Sequence, residues 1–200
     1  MKARVVVFSA LGVLAMTGSA WAATSPAQTT APAGIGSYSY IQVQHSQVGS
    51  SSYFGETARS NGLEASYQFG QNAFVYGDFD RSAFDNGGNL YHTGIGIGYA
   101  QTAGKISAYL RGGFYRDVAS GNSRPGRSYY WQFAYGLRAS LANWFALEGE
   151  LYSDIHPEFG SVPWGLKFGV AFALGPVSLH VVDDHNRQVN TLSAALRFAF

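Results

Sequence analysis

Cysteine is absent from this chain, which excludes disulfides, thiolate metal sites and a lipidated cysteine anchor. Charge is scarce. Asp, Glu, Lys and Arg supply 12% of the residues, about half the usual share of a soluble domain, roughly 25%. The two signs nearly cancel, with 13 basic and 12 acidic residues, so the broad basic field of a general nucleic-acid binder is missing. Long apolar runs are missing too. After the first sixteen residues nothing approaches the roughly 20 apolar residues that a membrane helix requires. What the chain has instead is 16% aromatic residues and 25 glycines, set out in alternation.

The first residues read as a secretory signal peptide over 1–22. Lys2 and Arg4 form the charged start, Val5 to Met16 the apolar stretch, and Ala20-Trp21-Ala22 the cleavage pattern. Processing after Ala22 removes two bases and leaves 11 against 12 acids. Residues 23–36, rich in Ala, Thr and Pro, read as a flexible periplasmic lead-in.

From residue 37 to 200 the pattern predicts ten strands and no helix. The segments are Ser37–His45, Gly62–Phe69, Ala73–Arg81, Leu90–Ala100, Lys105–Arg116, Ser128–Ser140, Trp144–Ser153, Val162–Ala173, Val177–Asp183 and Asn190–Phe200. The fourth alternates most cleanly, with Tyr91, Thr93, Ile95, Ile97 and Tyr99 against His92, Gly94, Gly96 and Gly98. In the last, Leu192, Ala194, Leu196, Phe198 and Phe200 share one face, so its most apolar side is offered to lipid. Tyr38 and Tyr40 blur the phase of the first segment and the ninth is short, so eight strands is the alternative count. The connections alternate between very short turns (70–72, 102–104, 141–143 and 175–176) and longer polar stretches (46–61, 82–89, 117–127, 154–161 and 184–188). That alternation, with an apolar face on every strand, predicts a transmembrane antiparallel up-and-down β-barrel with short periplasmic turns and longer extracellular loops.

The opposite faces carry Glu64, Asp78, Asp80, Glu148 and Glu150 against Lys105, Arg111, Arg138, Lys167 and Arg197. Five acids and five bases in a narrow lumen are expected to form an ion network, with Glu148 and Glu150 between Arg138 and Lys167. A small barrel is normally filled by its own side chains. The expectation is therefore a plugged lumen, with a narrow pore for small solutes as the alternative. The third long connection carries Arg116, Arg124 and Arg127, which suit lipopolysaccharide phosphates because guanidinium recognises phosphate bidentately.

Gly96-Ile97-Gly98-Tyr99, Gly136-Leu137-Arg138 and the terminal Arg197-Phe198-Ala199-Phe200 resemble the small bacterial outer-membrane β-barrel family, the OmpX and OmpA types. The resemblance implies insertion into the cell outer membrane by the barrel assembly machinery, with Phe198 and Phe200 as the assembly signal. It also implies a structural or surface-interaction role toward an extracellular ligand that the sequence does not name.

No enzyme is expected. Asp78-Phe79-Asp80 and Asp154-Ile155-His156 resemble the paired acids and Asp-His of the ten-stranded omptin proteases, but this chain is much shorter than those. A lipid A deacylase would need a His-x-Ser, and no histidine here is followed by serine two positions on. Neither a cofactor nor a metal site is expected. Asp183-Asp184-His185 reads as a polar hairpin turn. Gly94, Gly96 and Gly98 precede no helix, so they make room inside a barrel rather than cradle a phosphate.

Overall fold

Period-two alternation leaves each segment to pleat with its apolar residues on one face. All ten expected segments are strands in the computed structural model of the protein, which describes residues 36–49, 57–121, 126–157, 164–186 and 190–200. They are β1 (Tyr40–Val48), β2 (Ala58–Phe69), β3 (Ala73–Phe84), β4 (Asn89–Ala103), β5 (Ile106–Ser120), β6 (Gly126–Ala142), β7 (Phe145–Ile155), β8 (Trp164–Leu174), β9 (Val177–Asn186) and β10 (Asn190–Ala199). Each is antiparallel to its neighbours in sequence, and β1 also pairs with β10, so the sheet closes into a barrel. Ten, not eight, is the strand number: β1 pairs along its whole length and β9 runs to Asn186. The expected signal peptide, the lead-in up to residue 35, and Arg124 lie outside the described residues.

The turns at one end are tight. Gly70, Gly104 and Gly175 adopt φ of 64°, 60° and 63°, in the left-handed region that L side chains resist. Glycine there lets three of the four short connections reverse within a few residues. The opposite end carries the longer connections.

At that loop end the strands run further than alternation predicted. β5 continues to Ser120 and β6 starts at Gly126, so the stretch expected as loop over 117–127 is mostly paired backbone. Asp183, Asp184 and His185 likewise sit in β9 opposite β10 rather than in a turn. The apolar signal stops where the strands leave the membrane layer. The ladder does not need apolar side chains, and its backbone bonds continue beyond them.

The outward face is an apolar belt. Ile95, Ile97, Tyr67, Phe168 and Phe198 are all more than half exposed, as side chains meeting lipid would be. On β6 the outward series from Tyr129 to Leu141 covers about 40 Å of strand at roughly 3.3 Å per residue. At a tilt of about 45° this is ~28 Å of height, close to the roughly 25 Å apolar band of transmembrane barrels. No described helix is long and apolar enough to cross a membrane; the crossing is made by strands.

Inside, large rings face glycines on the adjacent strand. The register pairs Phe74 with Gly98, Tyr76 with Gly96, Tyr115 with Gly94, Tyr109 with Gly136 and Tyr152 with Gly165. A Cβ built at any of these five glycines would come within 2.4 Å of the facing aromatic side chain. The glycines expected to make room in the lumen therefore do so for aromatic side chains, and they let a ten-stranded barrel fill itself without strain.

Candidate functional site in the barrel lumen

At the short-turn end the lumen is filled by two unlike halves. On the β1–β5 side Tyr38, just before β1, stacks on Phe74 with centroids 4.9 Å apart and meets Tyr109 edge-on at 6.0 Å. The Tyr38 hydroxyl bonds Ser107 Oγ at 2.8 Å. On the β6–β10 side the inward residues are small: Ala146, Ala171, Ala173 and Ser178. Arg138 reaches between the halves, with its guanidinium 5.7 Å from the Tyr38 ring and Nε 2.7 Å from Glu148 Oε1. Glu148 lies 3.3 Å from His180 Nδ1, and His180 Nε2 bonds Ser178 Oγ at 2.7 Å. The polar side chains named in this layer are set against one another, as burial favours.

The ion network lies at mid-lumen. Glu150 Oε1 accepts from Arg111 Nη2 at 2.9 Å and from Lys167 Nζ at 3.0 Å, and the Tyr109 hydroxyl donates to Oε2 at 2.7 Å. Arg111 Nη1 lies 3.9 Å from Glu64 Oε1, and Tyr40 donates to the same oxygen at 2.5 Å. Arg197 is held by neutral groups: its Nε donates to Gln42 Oε1 at 2.9 Å, and its guanidinium sits 4.0 Å from the Tyr40 ring centroid.

Above the floor of Tyr38, Phe74 and Arg138 the lumen opens past the ion network, toward the loop end, as a cavity of about 490 Å³. Its wall carries Asp78, Asp80, Asp117 and Asp184. His92 bridges two of them, with Nε2 3.1 Å from Asp78 and Nδ1 2.7 Å from Asp117. Both nitrogens can donate at once only from a protonated ring. Asp80 accepts from Ser60, Ser82 and Gln44. Asp184 accepts from the Tyr152 hydroxyl at 2.8 Å, and Asp154 accepts from Gln132 at 2.9 Å.

Of the ten residues expected in the network, the structure brings Glu64, Arg111, Glu150 and Lys167 together, and Arg138 with Glu148 beside them. Asp78 and Asp80 face inward but meet a histidine and neutral donors. Lys105 is a correction. It occupies the exposed β4–β5 turn rather than the lumen, because β5 begins one residue later, at Ile106. Arg116 and Arg127 belong to β5 and β6, not to a loop, and both face outward. Of the omptin-like residues, Asp78 meets His92, and Asp80 meets Ser60, Ser82 and Gln44. His156 stacks on Tyr130 at 4.6 Å and lies 3.4 Å from Ser128, while Asp154 is bound to Gln132. Among the described residues no group of three His, Cys, Asp or Glu side chains is placed to hold a metal.

Sequence reasoning missed the role of His92 and the closing layer of Tyr38 and Phe74 against which Arg138 lies. The phase of β4 already placed His92 inward, and the aromatic-to-glycine pairing across strands was the signal for the rest.

No protein-family model matches the chain, and no curated protein matches it. Solved structures do. The NanC porin aligns over 80% of this chain and 100% of its own, with a TM-score of 0.52 at 8% identity. The KdgM porin aligns over 80% and 99%, with 0.48 and 11%. Neisserial surface protein A aligns over 80% and 96%, with 0.43 and 17%. At these identities the likeness is one of fold. The chain has the fold of outer-membrane β-barrels, the coarse part of what its terminal strand and glycine motifs implied.

Proposed function

We propose that this protein is a non-enzymatic integral barrel of a bacterial outer membrane, with a lumen plugged by its own side chains and a structural or surface-interaction role carried by its loop end. One observation carries the reading: inward residues at the short-turn end have almost no accessible surface. Ala146 and Ala171 are 0% exposed, Ser178 1% and His180 2%. In an open channel such small side chains would be washed by water. In this orientation the short turns face the periplasm and the cavity opens outward.

The assembly of the barrel belongs to the same proposal. Phe198 and Phe200 are exposed on the lipid face, and the Phe200 N–H donates to Ser39 O at 3.1 Å beside the β1–β10 closure. This placement suits recognition by the barrel assembly machinery. Removing Phe200 should lower the yield of inserted, heat-modifiable barrel in cells. Unchanged insertion would mean that the residue is only an anchor in the lipid interface.

The lumen reading is tested by planar-bilayer recording of the purified protein. We expect no steady conductance above the bare bilayer. Large, steady openings would instead favour the narrow-pore alternative.

A further inference from the structure

Nine lysines and arginines lie among the described residues, and their distribution is lopsided. Arg111, Arg138, Lys167 and Arg197 line the lumen, and Lys105 occupies a short turn. The other four, Arg59, Arg81, Arg116 and Arg127, are exposed and face outward from β2, β3, β5 and β6 at their loop-end halves. The lipid-facing surface of the other half-barrel, among the described residues, has no lysine or arginine and carries Asp183.

The register fixes how the four are spaced. Arg81 pairs with Tyr91, Tyr91 with Val118 and Val118 with Arg127, so Arg81 and Arg127 share one rung three strands apart. At the usual strand spacing that is about 14 Å. Arg116 lies two residues nearer the membrane centre than Val118, between them in strand order. Arg59 faces Ala83, two residues further out than Arg81. Arg81 is also held in place: its Nε and Nη2 donate to Asn89 Oδ1 at 3.3 and 3.1 Å, and its guanidinium lies over Tyr91.

Directly below this band the apolar belt is hollowed. Ala65, Gly77 and Gly112 face outward with little or no side chain, between Ile95, Phe114 and Trp131. The groove continues down the barrel to Phe200 and is almost wholly apolar.

We propose that this face binds a phosphorylated, multiply acylated glycolipid of the outer leaflet, with its phosphates on Arg81, Arg116 and Arg127 and an acyl chain in the groove beneath. Separated phosphates match separated guanidiniums, each able to form paired charge-assisted hydrogen bonds. The groove supplies the second requirement, since an acyl chain in a hollow between aromatic rings gains contacts that a flat belt lacks. A glycerophospholipid offers one phosphate and two chains and cannot occupy the whole band. This inference rests on the outward orientation of the loop end given above, yet its test in detergent depends neither on that orientation nor on the state of the lumen.

The experiment is a titration of the purified full chain, in detergent micelles, with three probes followed by native mass spectrometry. They are a hexa-acylated bis-phosphorylated diglucosamine lipid, its dephosphorylated counterpart, and phosphatidylglycerol. The bis-phosphorylated lipid should bind roughly tenfold more tightly than either of the others, the scale of one added charged contact. Arg81→Gln combined with Arg116→Gln should abolish the preference for phosphate. Gly77→Leu, which fills the groove, should weaken all acylated probes severalfold while keeping the preference. Both substitutions face lipid, and heat-modifiable migration verifies that the variants fold. Equal binding of the dephosphorylated lipid overturns the site. Equal binding of phosphatidylglycerol overturns it too, in favour of a generic anionic lipid shell. If fractionation placed the protein in another membrane while the preference held, the orientation would fail and the binding face would stand.

Discussion

Glu150→Gln should lower the unfolding free energy by about 3–5 kcal/mol, the cost of removing one partner from a buried ion pair. The carboxylate of Glu150 is shared by Arg111, Lys167 and the Tyr109 hydroxyl. Its loss leaves two cations facing one another, with Glu64 at 3.9 Å the remaining acid near Arg111. The amide keeps the shape, so the effect reports charge and not volume. Urea unfolding followed by the fluorescence of Trp131, Trp144 and Trp164 measures it. The double variant Glu150→Gln with Lys167→Gln should recover part of the loss, because one of the stranded cations is gone. A change under about 1 kcal/mol would place Glu150 among water-screened pairs and would overturn its role as the buried partner of Arg111 and Lys167.

Phe74→Ala with Tyr38→Ala should do two things at once. Truncating a buried aromatic costs roughly 3–5 kcal/mol, and these two rings stack on each other across the floor of the lumen. The double variant should be markedly less stable and should also conduct in planar bilayers, where the parent protein is expected to stay silent. Its current should favour cations, because seven carboxylates line the path, Asp78, Asp80, Asp117 and Asp184 among them, against Arg111, Arg138, Lys167, Arg197 and His92. Folding is checked first by heat-modifiable migration. A folded variant that stays silent would move the seal from the aromatic half of the layer to the side of Ala146, Ala171 and His180.

The barrel was legible in the sequence because lipid imposes a strict rule on alternate residues. Tyr91, Ile95, Ile97 and Tyr99 of the fourth segment faced outward as expected, and so did Leu192, Leu196 and Phe198 of the last. Strand ends were less legible. Ser120, Gly126, Asp184 and Asn186 continue the ladder through backbone bonds that leave no apolar trace. The first segment was blurred for a physical reason now visible: Tyr38 and Tyr40 point inward, so aromatic character there marks the lumen and not the belt. Glu148 with Arg138, and Glu150 with Lys167, could be paired from sequence because their strands are adjacent. Arg111 reaching Glu150 across an intervening strand could not, since that contact depends on the curvature of the closed sheet. Lys105 was misplaced by a single residue at a turn, where phase alone cannot distinguish the last lumen position from the first solvent one.

The closure of β1 on β10 has a consequence for how the chain folds. Nine of the ten strand pairings join neighbours in sequence, whereas this one joins residues such as Ser46 and Ser193, or Gln42 and Arg197, 147 and 155 positions apart. The loop-closure entropy of that step far exceeds that of any hairpin, and pairings of such long range form slowly. Until it forms, the molecule is an open ribbon with an unpaired edge along β1 and another along β10, each a template for joining a second chain. Whatever brings those two edges together sets both the rate of maturation and the risk of aggregation, so that seam is where a folding catalyst would have the most to gain.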